Sequence, residues 1–332
     1  MKVSIKTISD LTGYSQATIS NVLNNKKGVS QKTAETIFRV ARETGYINSP
    51  RISSIKVVMY KKSGLILTNT PFMSAVLEGV ENEGHVHGLD TIIYNIMKGE
   101  KQFQSKLDQI IRERNSGIIL LATELDWIDM EPFLDVTVPL VVLDAWFKEG
   151  YFDTILMDNT GSLYLSLTCL TENGHKKIGF INSSIPILNF VHRRNGFNVA
   201  MEEYGLKIEE KYCLNLAPTS NGAYEDMCRY LETKPKLPTA FCIVNDIIAF
   251  GAMKALIQFG YSIPDDISIV GFDNMPFSEI TSPPLTTIDV PKRELGQVAV
   301  RRLIAKNKDD AIVPVNMQLL TKLVERGTVK RM

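Results

Sequence analysis

Three apolar runs in this chain end in side chains that can bind a polar ligand. Asp144 closes LVVLD, Asn245 and Asp246 follow AFCIV, and Asp273 with Asn274 follow ISIVGF. Carboxylates accept paired hydrogen bonds and amides both give and accept them. Gathered with an arginine and aromatic faces, they suit a neutral polyhydroxylated ligand such as a sugar. Asn and Asp in these places also cap helices or form turns, the commoner role for any one of them. Their recurrence after separate runs is what favours a site.

A second set lies near the N-terminus. Gln16, Ala17, Thr18, Ser20, Asn21 and Asn24 fall off the apolar stripe of Ile19, Val22 and Leu23. Short polar side chains on an open helix face suit hydrogen bonds to base edges and phosphates. Other chemistry has less support. His85 and His87 stand two apart, and His175 and His192 are isolated, so no metal constellation forms. Cys169, Cys213, Cys228 and Cys242 make no CxxC pair, which argues against a zinc site or a disulfide framework. There is no phosphate-binding GxxxxGK[ST] loop, no GxSxG elbow and no nucleophile with a nearby base. Neither enzyme activity nor a cofactor or metal is expected.

The elements that must hold these residues follow from periodicity. Ser4 is a candidate N-cap, Ile5, Ile8 and Leu11 recur at helical spacing, and Gly13 supplies a turn. Ser15 caps the helix that carries the open polar face. Ser30 opens a third, with Ala34, Ile37, Phe38 and Ala41 as its stripe and Gly45 as its stop. Residues 1–62 hold 11 Lys/Arg against 3 Asp/Glu, whereas the whole chain is neutral. A basic module on an acidic body is the footprint of a protein that meets a polyanion at one end. A membrane surface fits less well, because the basic residues do not lie on a strongly amphipathic helix. With no signal peptide and no spanning run, a cytoplasmic protein is expected.

Pro50 and the serines around it mark residues 47–54 as a linker. Beyond it, strands are predicted at 57–60, 89–94, 117–122, 140–144 and 154–157, with helices at 73–86, 101–114 and 126–134. The alternation repeats with helix 161–173, strand 177–181, helix 188–204, strand 239–244, helix 246–259 and strand 268–272. Alternating elements of this kind build parallel sheets covered on both faces, with ligand at the carboxyl ends of the strands. The 60–70 connection, with Lys61, Lys62, Ser63 and Gly64, reads either as a lip near the cleft or the DNA face, or as a solvated charged loop.

These fragments resemble the LacI/GalR family of bacterial transcriptional regulators. The resemblance runs through ISDLTGYSQATISNVLN, KGVSQKTAETIFRVARETGY, TPFMSAVLEGVE, VVLDAW, MDNTGSLYLSLTCLTENGHKKIGFI, RRNGF, FCIVND, ISIVGFDN and SPPLTTIDVPKRELG, in the family's order. It implies an N-terminal all-α helix-turn-helix domain (1–46), a short linker (47–54), and a periplasmic-binding-protein-like type I α/β core of two doubly wound lobes (55–327). The first lobe is expected at about 55–158 and 289–311, the second at about 159–288 and 312–327. The implied function is repression as a homodimer on a palindromic double-stranded operator, controlled by a small-molecule effector, with a carbohydrate expected. A solute receptor of periplasmic-binding type is the alternative.

Carried over by position, Gln16 and Ala17 match the family's base-reading places, and Asn21 stands where Arg is usual. Ser4, Ser15, Thr18, Ser20, Asn24, Ser30, Thr33 and Tyr46 match its backbone-holding places. Phe72, Asp144, Arg193, Asp246 and Asp273 match its effector contacts. Trp146 is added as a candidate stacking face, with ordinary packing as the other reading. The linker is shorter than the family's hinge and carries no Leu. The segment after Glu325 is too short for a tetramerising C-terminal helix, so a dimer is expected.

Overall fold

The computed structural model describes residues 4–23, 29–44, 46, 52–66, 71–113, 115–308 and 313–332. The linker residues 47–51 and Asn24 lie outside them.

The N-terminal module is α1 (Ile5–Thr12), α2 (Gln16–Leu23) and α3 (Gln31–Glu43). Each helix begins with the same device, a serine whose hydroxyl accepts a backbone N–H of the first turn. Thr7 N donates to Ser4 Oγ at 3.4 Å, Thr18 N to Ser15 Oγ at 3.1 Å and Thr33 N to Ser30 Oγ at 3.2 Å. Gly13, at φ +74°, closes α1 in a left-handed conformation that costs little without a Cβ. Ile8, Ile19, Val22, Ile37, Val40 and Ala41 form the core. Leu11 departs from the expected stripe and is 61% exposed. Ile5 and Tyr14 do pack against this core.

The remaining elements form two sheets. β1 (Ser54–Lys61), β2 (Asp90–Met97), β3 (Ser116–Leu121), β4 (Leu140–Leu143), β5 (Asp153–Met157) and β11 (Asn316–Leu319) make the first, in the order β11-β5-β4-β3-β1-β2. β6 (Ile178–Ser183), β7 (Cys213–Leu216), β8 (Ala240–Ile243), β9 (Ser268–Asp273), β10 (Thr286–Asp289) and β12 (Lys322–Val324) make the second, in the order β12-β10-β9-β8-β6-β7. All pairings are parallel except β10 with β12. The inner strands β3 and β4 are buried throughout, as expected where helices cover both faces. Those helices are α4 (Pro71–Val86), α5 (Phe103–Arg112), α6 (Gly161–Glu172), α7 (Leu188–Glu203), α8 (Ser220–Glu232), α9 (Asp246–Gln258) and α10 (Lys292–Lys308). Among the described residues, no helix is long and apolar enough to cross a membrane.

The structure corrects the expected lobe boundaries. Residues 312–327 do not all belong to the second lobe, because Asn316 to Leu319 pair with Thr154 to Met157 in the first sheet. The chain crosses back only afterwards, and β12 pairs with β10. The second lobe also extends past 327, since Thr328 Oγ1 donates to Ile269 O at 2.7 Å and Met332 N to Asn173 O at 2.8 Å. The expected helix at 126–134 is a 3-10 segment, Ile128–Phe133, with Pro132 inside it. Residues 205–238, unassigned from sequence, supply β7 and α8.

The first lobe is braced by α4 against α10. A Cβ on Gly79 would lie 2.0 Å from Arg293 O, and one on Gly296 would lie 2.3 Å from Val76 O. The two helices therefore meet backbone to backbone.

Candidate functional site

On the N-terminal module, Ser15, Gln16 and Ala17 are exposed at the start of α2, while Thr18, Ser20 and Asn21 are half-buried behind them. The Ser15 and Thr18 hydroxyls are 2.8 Å apart, as are those of Ser30 and Thr33. α2 and α3 thus present capped N-termini of the kind that receive phosphate oxygens. Tyr46 packs against the module's core.

Between the lobes lies a cavity of about 70 Å³. Phe72, Met73, Thr123, Asp144 and Met157 wall it from the first lobe, and Asn189, Phe190, Arg193, Asn245 and Asp273 from the second. Four expected residues, Phe72, Asp144, Arg193 and Asp273, are brought together here. Arg193 is 3% exposed. Its Nε donates to Asn159 Oδ1 at 2.9 Å and its Nη1 to Val244 O at 2.7 Å, and its guanidinium lies 3.5 Å from the Phe272 ring centroid. Nη2 stands 4.0 Å from Asp273 Oδ1. Asp144 accepts from Thr123 Oγ1 at 2.5 Å and from Asn189 Nδ2 at 2.8 Å. Asn159 Nδ2 donates in turn to Asn189 Oδ1 at 3.0 Å. One continuous network joins both lobes.

Burial dominates the electrostatics. It raises the Asp144 carboxyl to about 6, against the lowering effects of Thr123, Arg193 and Asn189. It raises Asp273 as well, with Arg193 and Lys292 opposing. Asp144 at φ +63°, Asp273 at φ +113° and Asn274 at φ +47° all occupy the left-handed region, a strain of a kind that collects at binding sites.

Two expected contacts are corrected. Asp246 does not line the cavity. Its carboxylate accepts from Thr287 Oγ1 at 2.7 Å, Ser278 Oγ at 2.6 Å and Met275 N at 2.9 Å. It is fully buried and pushed up to about 7 by burial and then by Asp273. It is a brace behind the wall, and the neighbouring Asn245, which caps α9 through Ile248 N at 2.9 Å, faces the cavity. Trp146 also stands outside the cavity, 36% exposed, its ring 5.6 Å from that of His192. A second recess of about 370 Å³ sits beside the crossovers, lined by Pro71, Asn274, Asp289, Lys292 and Lys322 among others. The convergent network belongs to the smaller cavity.

Residues 4–49 match the family model described as bacterial regulatory proteins, lacI family, and residues 167–329 match the periplasmic binding protein-like domain. The HTH-type transcriptional repressor PurR of Actinobacillus pleuropneumoniae serotype 3 (strain JL03) is 31% identical over 333 residues, 99% of each chain. The chain belongs to the LacI family. The family's PurR from Haemophilus influenzae (strain PittEE) is also 31% identical, over 98% of each chain. The lac repressor dimer bound to operator and the anti-inducer ONPF shares the fold at TM-score 0.71 and 23% identity, covering 99% of this chain and 100% of that one. A LacI-family regulator from Enterococcus faecalis V583 with bound ribose has TM-score 0.70 and 25% identity, covering 83% of this chain and 99% of that one. The protein is thus a DNA-binding LacI-family repressor with an effector-binding core.

Sequence reasoning missed Asn159 and Asn189, which tie Asp144 to Arg193. Asn159 carried the same signal as its neighbours, an Asp-Asn pair directly after a strand. Asn189, in the first turn of α7, carried none.

Proposed function

We propose that this repressor binds a palindromic operator as a homodimer and that a small neutral sugar in the interlobe cleft sets its hold on DNA. The observation that carries the effector reading is Asp273. Its carboxylate borders the cavity beside Arg193, and it accepts no hydrogen bond from the described residues. A desolvated acceptor without donors calls for a ligand that brings them. Adjacent hydroxyls do so in pairs, with Asn245 able to return a hydrogen bond and Phe72 and Phe190 offering apolar faces. The ribose bound by the Enterococcus faecalis regulator supports a sugar.

The present cavity is smaller than the roughly 300–1,000 Å³ of ligand sites, so effector entry requires the lobes or their lips to part. A ligand that fits one lobe arrangement better than the other shifts their balance. On DNA, Gln16, Ala17 and Asn21 read base edges from α2, with Ser4, Ser15, Thr18, Ser20, Ser30 and Thr33 around them on phosphates. Exposed Ile92 and Ile93 on β2, with Phe277 and Ile280 on the second lobe, favour a covered subunit face. Two such modules on a two-fold axis read a palindrome.

A thermal-shift panel of sugars and nucleobases tests the cleft. One class should stabilise the full-length protein, and Asp273→Ala should abolish the response. Silence across the panel would reject ligand sensing, and a nucleobase response would replace the ligand class. A mobility shift on DNA upstream of its own gene, in rising salt, tests the module, since phosphate contacts make log affinity fall linearly with log salt.

A further inference from the structure

The loop after β1 folds around a side chain from across the sheet. Glu124, 8% exposed, follows β3 and reaches back to residues 62–66. Its Oε2 accepts from Lys62 N at 2.9 Å, Ser63 N at 2.5 Å, Ser63 Oγ at 3.0 Å and Gly64 N at 3.1 Å. Its Oε1 accepts from Ile66 N at 3.1 Å. Gly64, at φ +68°, lets the backbone turn its successive N–H groups inward. Consecutive amides converging on one oxygen form an anion-binding nest.

The surroundings fix this loop as a lip of the cleft. Ile66, at one end of the nest, and Thr123, beside Glu124, both line the cavity. Lys62 Nζ meets Asp126 and also Asp129 at 2.9 Å, and Lys98 meets Asp129 from β2's end. The longer 60–70 connection is therefore a clamped lip for as far as it is described, through residue 66.

We infer that Glu124 is a specificity-determining residue, which fills an anion nest at the cleft mouth from within the chain and so restricts the cleft to ligands without a phosphate or carboxylate group. The inference rests on the cleft being the effector site. With Glu124 seated, the nest's five donors are engaged, and the two lysines beside it are paired with Asp126 and Asp129. Deeper in, Arg193 has given Nε and Nη1 to Asn159 and Val244. An incoming phosphate carries a charge of about −1.5 to −2 and would face Asp144 and Asp273 with that single, already engaged, guanidinium. A neutral ligand meets no such opposition.

The test measures amide exchange across residues 62–66 in full-length protein. The wild-type nest amides, outside any helix, should be protected, and Glu124→Gly should lower that protection roughly tenfold or more. Sodium acetate or inorganic phosphate should restore it in the variant, sodium chloride at equal ionic strength should not, and none should alter the wild type. Freely exchanging wild-type amides, a variant blind to acetate and phosphate, or a wild-type loop that responds to phosphate would each overturn the proposal. Should Glu124→Gly not fold, Glu124→Gln takes its place, and unchanged loop protection there counts against the latch. Selectivity is read by comparing a neutral sugar that stabilises the wild type with its phosphate ester. Equal stabilisation by both refutes the exclusion. A silent ligand panel would reject effector sensing while leaving the exchange result intact, so the two failures are distinguishable.

Discussion

Replacing Asp246 separates a structural brace from a ligand contact. Its carboxylate holds Thr287 on β10, Ser278 on the 3-10 turn Pro276–Glu279 and the Met275 N–H. In Asp246→Ala the two hydroxyls can rotate to other acceptors, whereas the Met275 amide is left unpaired in a buried place. With the Asp246 carboxyl protonated, these hydrogen bonds are worth about 0.5–1.5 kcal/mol each, and the buried Met275 amide left unpaired adds to the loss, for a total of about 3 kcal/mol. For a domain of this size that lowers Tm by roughly 6–12 °C. Asp273→Ala removes a carboxylate with no donor among the described residues and only a 4.0 Å approach to Arg193, so its stability should stay within about 1 kcal/mol of wild type, a Tm change of no more than roughly 2–4 °C. Differential scanning fluorimetry with and without the effector reads both effects. Asp246→Ala should unfold early yet keep a ligand response at reduced temperature, and Asp273→Ala should do the reverse. An Asp246→Ala protein with unchanged Tm and no ligand response would refute the brace and restore Asp246 as an effector contact.

Burial raises Asp144 to about 6 and Asp246 to about 7, both above the ordinary 3.8. The folded protein binds these protons more tightly, so their stabilising contribution is full below pH about 4 and is lost as pH rises through 6 and 7. The Tm gap between wild type and Asp246→Ala should accordingly be wider at pH 5 than at pH 8, and an equal gap would contradict the shift. Gln16→Ala should weaken operator binding by about 1–3 kcal/mol while leaving the salt slope unchanged, and a reduced slope would make Gln16 a phosphate contact instead. Gly79→Ala should destabilise the core despite the roughly 1 kcal/mol that alanine adds to a helix, because its Cβ would meet Arg293 O at 2.0 Å and force α4 from α10. Urea unfolding showing a gain would mean the helices part freely.

The parts legible in sequence were those governed by local pattern. Capping serines, the stripes around Ile19 and Ile37, and most of the strand-helix alternation, apart from 126–134 and 205–238, correspond to observed elements because each depends on neighbours in the chain. Asp144, Arg193 and Asp273 meet because strand ends and an adjacent helix converge on one edge of each sheet. What escaped depends on distant partners. Strand-end position alone cannot tell a carboxylate that faces the cleft from one turned inward to Thr287 and Ser278, and so Asp246 was misread. β11, NMQL, has no buried face of its own, so nothing local tells which sheet it joins. Glu124 reads as a loop acid until the fold brings residues 62–66 against it.

The strand order also has a consequence for how the protein is made. One edge strand of the first sheet comes from residues 316–319 and one of the second from 322–324. Neither lobe can complete its sheet while the chain is still on the ribosome short of those positions, although the N-terminal module needs nothing beyond its own core. During synthesis a basic DNA-binding head is therefore finished long before the body that governs it. A message ending before codon 316 would release a head with both sheets short of a strand, each presenting an open strand edge to other nascent chains.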